Sequence, residues 1–235
     1  MPVVTTLFAE LCSDINLEIL VQEGELCPAG TVMASIEGNA RAILSGERVA
    51  LNFLQRLCGI ATITRKYVNE LGDSKTAILD TRKTTPGLRL LEKYAVKAGG
   101  GQNHRMGLYD RIMIKDNHRE MAKLLGPDSI ALAVKACREK YPELEIEVEA
   151  DTLQEVKAAA EAGVEYILLD NMSNQEMLEA IEIINNRAKT EASGGITLQR
   201  IKSLAELGLD YISVGALTHS ATAIDIGLDF MATPN

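Results

Sequence analysis

Three short motifs place cations where a ligand-binding loop would need them. Arg82 and Lys83 lie in DTRKTTPG, directly after an apolar run, and Lys115 ends another apolar run, RIMIK. His104 and Arg105 close the motif GGGQNHR, whose glycines let the backbone approach a ligand closely. Arginine binds carboxylates bidentately, and histidine adds a hydrogen bond or a positive charge. The motifs therefore predict a site for a small molecule that carries carboxylate or phosphate groups.

Two acidic residues, Glu149 and Asp170, end the apolar runs IEVE and YILLD. A lysine at the end of an apolar strand needs water or a partner, and both acids are natural partners for Lys115. Two carboxylates at one rim can also hold Mg²⁺ through water or accept hydrogen bonds from a ribose diol. Spacing alone leaves the ion-pair and ligand-binding interpretations open. The three histidines and four cysteines lack the spacing of a zinc site.

Glycine-containing segments follow the last two apolar runs. In α/β barrels, late loops of this kind donate backbone N–H groups to a phosphate. The residues concerned are Ser193, Gly194 and Gly195 in the first segment and Val214, Gly215 and Ala216 in the second. They predict a phosphate site beside the acids.

The spacing of these residues predicts the elements that position them. Glu149, Asp170, Ser193 and Gly215 are separated by 21, 23 and 22 positions, which is about the length of one βα unit. Six apolar runs, with a seventh candidate near AIDIGLDF, give a parallel α/β barrel or an open parallel sheet. In either fold, ligands bind beyond the carboxyl ends of the strands.

The chain before the first βα unit reads differently. A short helix at Thr5 to Cys12 precedes a strand-and-turn region, and apolar residues at helical spacing then predict one long helix or two abutting helices over 45–71. Gly59 marks the point where that helix would break. Later helices begin at capping boxes that start with Thr152 and Ser173.

The charge is unevenly distributed. The chain has 235 residues, 46% hydrophobic and 24% charged, with a net charge of −9, which disfavours general nucleic-acid or anionic-membrane binding. Arg82 to Arg119 nevertheless holds nine basic and three acidic residues, a balance of +6, so the remainder carries −15. The positive segment suits a polyanionic small molecule. We interpret Arg89, Lys93 and Lys97 within it as cations on a solvated helix face.

Targeting signals and cysteine usage point to one compartment. No apolar run reaches the roughly 18 residues of a membrane helix, and the first residues lack the basic region of a secretory signal. The four cysteines form no CxxC pair, which predicts reduced, buried thiols. We therefore expect a cytoplasmic globular protein with no nucleic-acid or membrane partner.

Longer motifs make the sequence resemble one enzyme family. ILDTRKTTPGLRLLEKYAVKAGGGQNHRMGLYDRIMIKDNH, with SGERVALNFLQRLCGIAT, EIEVEADT, ASGGI and ISVGALTHS, is similar to the quinolinate phosphoribosyltransferases. The resemblance implies an incomplete, seven-stranded α/β barrel over 73–223. It also implies an N-terminal open-faced α/β sandwich with a connecting helix over 1–72, which 224–235 would join. The implied reaction joins quinolinate to phosphoribosyl pyrophosphate with Mg²⁺ and yields nicotinate mononucleotide, pyrophosphate and CO₂.

The resemblance also implies roles for individual residues. The basic pocket around quinolinate would contain Arg82, Lys83, His104, Arg105 and Lys115, with Thr81 beside them. Glu149 and Asp170 would lie near the ribose and the metal, where they and Lys115 would be the catalytic residues. The 5′-phosphate would bind Ser193, Gly194, Gly195, Val214, Gly215 and Ala216, with His219 just beyond them. Arg48 would reach the neighbouring subunit's site, so the family's homodimer or larger assembly would be the active form.

The family has a further helix-and-strand segment before the position that matches Met1, so we expect an incomplete sandwich, an exposed strand edge and a weakened dimer. Three alternatives remain open. One is a paralogue, such as the molybdenum-associated proteins, that acts on another aromatic acid, although the complete TRK, HR and IKDNH set argues against it. The others are a non-catalytic subunit and a phosphate-binding barrel isomerase.

Overall fold

The structure is a computed structural model that describes residues 1–123 and 128–230. The N-terminal part contains helix α1 (Pro2–Leu11) and strands β1 (Asn16–Ile19) and β2 (Ala34–Glu37). The two strands pair antiparallel, and α1 packs on the following helix, α2 (Ala40–Glu70), through Val4, Phe8 and Ala50. This small α/β layer matches the predicted sandwich. Helix α1 begins three residues before the short helix predicted at Thr5 to Cys12.

A parallel sheet of six strands forms the rest of the fold. Its spatial order is β3–β8–β7–β6–β5–β4, so the first and second strands of the sheet lie at opposite edges. The strands are β3 (Ala77–Leu79), β4 (Ile112–Ile114), β5 (Ile146–Ala150), β6 (Tyr166–Asp170), β7 (Lys189–Ser193) and β8 (Tyr211–Ser213). All six were predicted. Five of them are short apolar runs, as strands covered on both faces usually are, and β7 is the more polar segment KTEAS.

The barrel is open, and within the described residues its sheet has six strands instead of the predicted seven. Within the described residues the AIDIGLDF segment has no regular secondary structure, because its backbone runs across α2 instead of along a strand. The Ile224 amide donates to the Gln55 carbonyl at 3.0 Å. A single parallel bridge between Leu79 and Gln102 extends the sheet beyond β3. Residues 231–235 of the predicted 224–235 segment lie outside the described part of the chain.

Helices alternate with the strands, as βα units require. They are α3 (Arg89–Ala98), α4 (Asp116–Lys123), α5 (Ser129–Lys140), α6 (Leu153–Glu161), α7 (Asn174–Ile184), α8 (Leu198–Ala205) and α9 (Ala216–His219). Both predicted capping boxes are present: Thr152 with Glu155 starts α6, and Ser173 with Glu176 starts α7. Reciprocal capping of this kind satisfies amides that the first helical turn leaves free.

Helix α2 is continuous over 31 residues, so the first of the two predicted alternatives, one long helix, is confirmed and the chain does not break at Gly59. Glycine is present there because the chain after α9 crosses the helix at that point. A Cβ atom on Gly59 would lie 2.1 Å from the Thr222 carbonyl oxygen. The Gln55 side-chain amide donates to the Ile226 carbonyl at 2.8 Å, which fixes the same crossing. Close packing against another backbone thus explains the glycine.

The main core lies between the sheet and its helices, where the strands contribute fully buried Ile146, Val148, Ile167, Leu169 and Ile212. All four cysteines are free and only half-buried, which corrects the prediction of buried thiols. Among the described residues, no helix is long and apolar enough to cross a membrane.

Candidate active site

Lys115 and Glu149 meet at the carboxyl rim of the sheet. Lys115 directly follows β4, and Glu149 lies in the neighbouring strand β5. The Lys115 Nζ atom lies 2.5 Å from Glu149 Oε2. The lysine side chain keeps 44% of its surface exposed, so its ammonium group also faces the mouth of the sheet. The pairing expected from strand spacing is therefore present.

Asp170 ends the next strand and faces the same rim. It stands opposite Ser193 in the β6–β7 register, and the Asn171 side-chain amide donates to Asp170 Oδ2 at 2.7 Å. Burial, followed by the negative charges of Glu149 and Asp151, raises the pKa of Asp170. Carboxylates that repel one another in this way are stabilised when a divalent cation binds between them. Mg²⁺ prefers hard oxygen ligands such as these. The donor set at the rim therefore fits the predicted metal.

Two loops that are distant in sequence meet at the other side of the rim. We call residues 81–85 the cation loop and residues 214–216 the VGA loop. A Cβ atom on Gly215 would lie 3.1 Å from both Lys83 Cδ and His219 Nε2. The Thr218 hydroxyl donates to the Lys83 carbonyl at 2.7 Å. The structure thus brings Lys83, Gly215 and His219 together.

The SGG loop, residues 193–195, has the backbone geometry of an anion-binding turn. Gly194 and Gly195 both have positive φ, +83° and +57°. A Cβ atom on Gly194 would lie 2.2 Å from Asn171 Oδ1, so only glycine fits. Within the described chain, the amides of Gly194, Gly195 and Gly215 donate to no backbone carbonyl. They are available to a bound oxyanion.

Arg82, Lys83 and Arg105 form a group of cations without carboxylate partners. In the described part of the chain none of them makes an ion pair, although Arg105 Nη1 donates to the Arg111 carbonyl at 3.0 Å. Burial and then the positive charge of Arg82 lower the pKa of Arg105. Converging cations that repel one another gain stability when an anion binds between them.

His104 points away from the rim, into the barrel, where it meets two buried glutamates. Its Nε2 atom lies 3.2 Å from Glu147 Oε2 and 3.5 Å from Glu191 Oε1, and all three side chains are buried. Burial opposes a charged ring, but hydrogen bonds and charges from both glutamates outweigh it and raise the pKa of His104 to about 9. Burial and the charge of Glu147 also raise the pKa of Glu191. The trio therefore keeps at neutral pH a proton that isolated groups would release.

The same trio has the residue types of a metal site, since its ligand atoms lie within 4.8 Å of one another. The hydrogen bond at the far side of the ring argues against a metal. The Arg105 amide donates to His104 Nδ1 at 2.7 Å, so an Nε2–H group faces the two glutamates and leaves no lone pair there for a metal. The extra proton of the trio is therefore shared among the ring and the two carboxyl groups. The predictions missed Glu147 and Glu191. Each is an acid inside a strand and lies two residues before a rim residue, Glu149 or Ser193, so that it points to the same side of the sheet.

Lys93 is buried, which corrects its interpretation as a solvated helix cation. It is 1% exposed and pairs with Asp80, which is also buried and directly follows β3. Asp80 also accepts from the Asn103 side chain at 2.6 Å and from the His104 amide at 2.9 Å. Its ion pair therefore fixes the segment that carries His104 against β3. Lys97 is exposed, as expected.

The remaining predicted residues lie in different environments. Thr81 accepts from the Lys83 amide at 3.0 Å and so shapes the cation loop. The Val214 side chain is in the core, which leaves only its backbone for a ligand, and Ala216 is half-buried beside it. Arg48 is exposed on α2, and its one ion-pair contact in the described chain is to Glu47, at 4.0 Å. Within this chain it is not brought to the other site residues.

Comparison with known proteins gives matches over nearly the whole chain. Two family models match: the N-terminal domain of quinolinate phosphoribosyl transferase over residues 1–58 and its C-terminal domain over residues 60–229. A probable nicotinate-nucleotide pyrophosphorylase [carboxylating] of Bacillus subtilis is 46% identical over 94% of this chain and 75% of its own length. A chloroplastic nicotinate-nucleotide pyrophosphorylase [carboxylating] of Arabidopsis thaliana is 41% identical over 94% of this chain and 67% of its own length.

Solved structures agree with the sequence matches. NadC from Streptococcus pyogenes superposes with a TM-score of 0.88 at 42% identity, covering 96% of this chain and 78% of that one. Nicotinate-nucleotide pyrophosphorylase from Ehrlichia chaffeensis gives a TM-score of 0.90 at 38% identity, with 97% and 81% covered. Fold, rim residues and sequence lead to the same conclusion: this chain belongs to the quinolinate phosphoribosyl transferase family.

Proposed function

We propose that this protein transfers the phosphoribosyl group of phosphoribosyl pyrophosphate to quinolinate. The products are nicotinate mononucleotide, pyrophosphate and CO₂, so the enzyme serves NAD biosynthesis. The observation that carries the proposal is the composition of one rim: it holds the Lys115–Glu149 pair, Lys83 packed against Gly215, and glycine amides that donate to no backbone carbonyl of the described chain. Quinolinate is a dianion and its co-substrate is a polyphosphate, and this rim offers complementary groups to both.

Each group of residues has a role in this reaction. Arg82, Arg105 and Lys83 would bind the carboxylates of quinolinate, while the SGG and VGA loops would hold the 5′-phosphate. Asp170 and Glu149 would face the ribose. The pyridine nitrogen attacks the ribosyl carbon as pyrophosphate leaves, so the protein contributes positioning and charge stabilisation, without a covalent nucleophile. The ring nitrogen becomes positive and stabilises the electron pair that stays on C2 when the 2-carboxylate departs as CO₂, and a proton from water then takes the place of the carboxylate on C2.

His104 would serve the quinolinate pocket through its position. Its ring is held between the glutamates and the Arg105 amide, so it fixes the backbone from which the Arg105 side chain projects. Lys115 remains exposed enough to contact a ligand while paired with Glu149. His104 would therefore act from inside the barrel by positioning Arg105, and Lys115 would contact the substrate at the mouth of the barrel.

A divalent cation is part of the proposal, with Glu149 and Asp170 as the residues that would hold it, directly or through water. When bound, Mg²⁺ neutralises pyrophosphate and makes it a better leaving group. The raised pKa of Asp170 supports this assignment, because its cause includes the neighbouring acids that a cation would screen.

The active form would be a homodimer or larger homo-oligomer in the cytoplasm. Arg48 supports the oligomer, since its side chain is 69% exposed and its one ion-pair contact among the described residues is to Glu47, at 4.0 Å. An exposed arginine on a rigid helix can enter the site of a second copy. A monomer would then lack one of the cations that bind the substrates.

The proposal is tested by measuring pyrophosphate and CO₂ together in the presence of quinolinate, phosphoribosyl pyrophosphate and Mg²⁺. We expect equal amounts of both products and none when nicotinate replaces quinolinate, since nicotinate lacks the 2-carboxylate. Pyrophosphate release with another aromatic acid, but not with quinolinate, would favour a paralogue with a different acceptor. Absence of release with every acceptor would favour a non-catalytic subunit.

A further inference from the structure

A buried cluster behind the rim joins two loops that the proposed reaction uses. We propose that Arg56, together with Glu92 and Thr218, is a positioning residue that holds the cation loop against the VGA loop. The inference rests on the proposed function, because it assumes that these loops bind the two substrates. None of the three residues belongs to the predicted site, and all act through loops that do.

The first half of the cluster ties α2 to the cation loop. Arg56 Nη2 lies 2.9 Å from Glu92 Oε1, and Glu92 on α3 is fully buried. Glu92 in turn accepts from the Thr85 amide at 3.0 Å and from the Thr85 hydroxyl at 2.8 Å. One carboxylate therefore holds the last residue of the cation loop while the arginine balances its charge.

The second half ties the same guanidinium to the segment after the VGA loop. Arg56 Nη1 donates to the Ala221 carbonyl at 2.9 Å, and Nη2 donates to the Thr218 carbonyl. The Thr218 hydroxyl donates to the Lys83 carbonyl at 2.7 Å. Thr218 is fully buried and lies two residues beyond the VGA loop, so its hydrogen bond to Lys83 joins the two loops directly.

The chemistry of arginine suits this task. Its planar group offers several fixed donors, which here reach a carboxylate and two carbonyls from different segments. A lysine carries the same charge but lacks the fork that spans these acceptors. Loss of the arginine would leave the buried Glu92 without its cation, so the loop that Glu92 holds would lose its fixed position.

The geometry predicts which kinetic constants depend on the cluster. Lys83 and Gly215 approach each other closely at the rim, where a Cβ on the glycine would touch the lysine side chain. A shift of one loop relative to the other would therefore move the VGA loop, which would hold the 5′-phosphate of phosphoribosyl pyrophosphate, out of alignment with Lys83, which would bind quinolinate. A cluster that only stabilised the fold would change the amount of folded enzyme and leave these constants unaltered.

The sharpest variant is Thr218→Val, which keeps the shape of the side chain and removes the hydroxyl. We expect the KM for phosphoribosyl pyrophosphate to rise about tenfold, the usual effect of losing one well-placed hydrogen bond. Thr218→Ser restores the hydroxyl and should restore the KM. Arg56→Lys tests the other half and should raise the same KM without loss of folded protein, as judged by circular dichroism.

The matched control is Arg65→Met, which removes an exposed arginine nine residues further along α2. This variant should leave the KM for phosphoribosyl pyrophosphate unchanged. If Thr218→Val and Arg56→Lys keep the KM within twofold of an active wild-type enzyme, the positioning role is refuted and the proposed function stands. If the folded wild-type protein itself gives no product, the proposed function fails instead. The two failures are therefore distinguishable.

Discussion

The buried trio of His104, Glu147 and Glu191 predicts that the protein loses stability in mild alkali. Both glutamates raise the pKa of His104 to about 9 from 6.5. A group with a raised folded-state pKa contributes its full stability below the unfolded value and loses it as the pH rises through the folded value. The difference of about 2.5, at roughly 1.4 kcal/mol for each pH unit, gives a loss of about 3 kcal/mol between pH 6.5 and pH 9.

The variant Glu191→Gln separates the trio from other groups that titrate in this range. Burial raises the pKa of Glu191 toward its neutral form, whose shape glutamine shares, so the variant should cost about 1 kcal/mol or less at pH 6.5. It removes one of the two carboxyl groups that hold the proton on the trio. The alkaline loss should therefore shrink by at least about 1 kcal/mol relative to the wild type.

The assay is urea unfolding at pH 6.5 and at pH 9, monitored by far-ultraviolet circular dichroism, with the exposed Glu143→Gln as control. Wild type and control should lose the same free energy of unfolding, and Glu191→Gln should lose less. Equal losses in Glu191→Gln and the wild type would mean that the trio does not cause the loss of stability in mild alkali. A wild-type free energy that does not change over this range would also contradict the prediction.

Other predictions concern the rim. Arg105→Ala should weaken quinolinate binding at least tenfold more than phosphoribosyl pyrophosphate binding. Calorimetric titration with each substrate measures both affinities, and an equal loss of the two would mean that Arg105 does not bind the carboxylates of quinolinate. Mixing inactive Arg48→Ala and Lys115→Ala proteins under proven subunit exchange should restore activity if subunits share sites, and no recovery would argue against sharing. Gly194→Ala should cost about 1–3 kcal/mol of unfolding free energy and raise the KM for phosphoribosyl pyrophosphate, because its Cβ would meet Asn171. A wild-type melting temperature and KM in that variant would contradict the account of the SGG loop.

The sequence predicted the parallel sheet well because its signals are local. Most strands are short apolar runs, and Glu149, Asp170 and Ser193 follow at nearly constant spacing. Parallel strands place their carboxyl ends at one edge, so the meeting of Lys115 and Glu149 could be anticipated from the position of each at the end of a strand. The capping boxes were equally local, since both partners lie within one helical turn.

Features that depend on distant packing escaped prediction. The residues around Lys93 in the sequence are those of a surface helix, and its burial depends on two distant partners, the carboxylate of Asp80 and the carbonyl of His104. Gly59 looks like a helix break until the crossing chain at Thr222 is known. Arg56 likewise has no local signal, because its acceptors lie up to 165 residues away. Long-range partners of this kind leave no periodicity in the sequence.

The central claim is that this rim joins quinolinate to a phosphoribosyl group and removes one carboxylate. The most direct measurement uses quinolinate labelled in its 2-carboxyl group, with Mg²⁺ and phosphoribosyl pyrophosphate, and follows labelled CO₂ and pyrophosphate together. The account predicts one labelled CO₂ for each pyrophosphate, and neither product from folded Lys115→Ala protein. Pyrophosphate release without labelled CO₂, or release that Lys115→Ala leaves unchanged, would contradict it.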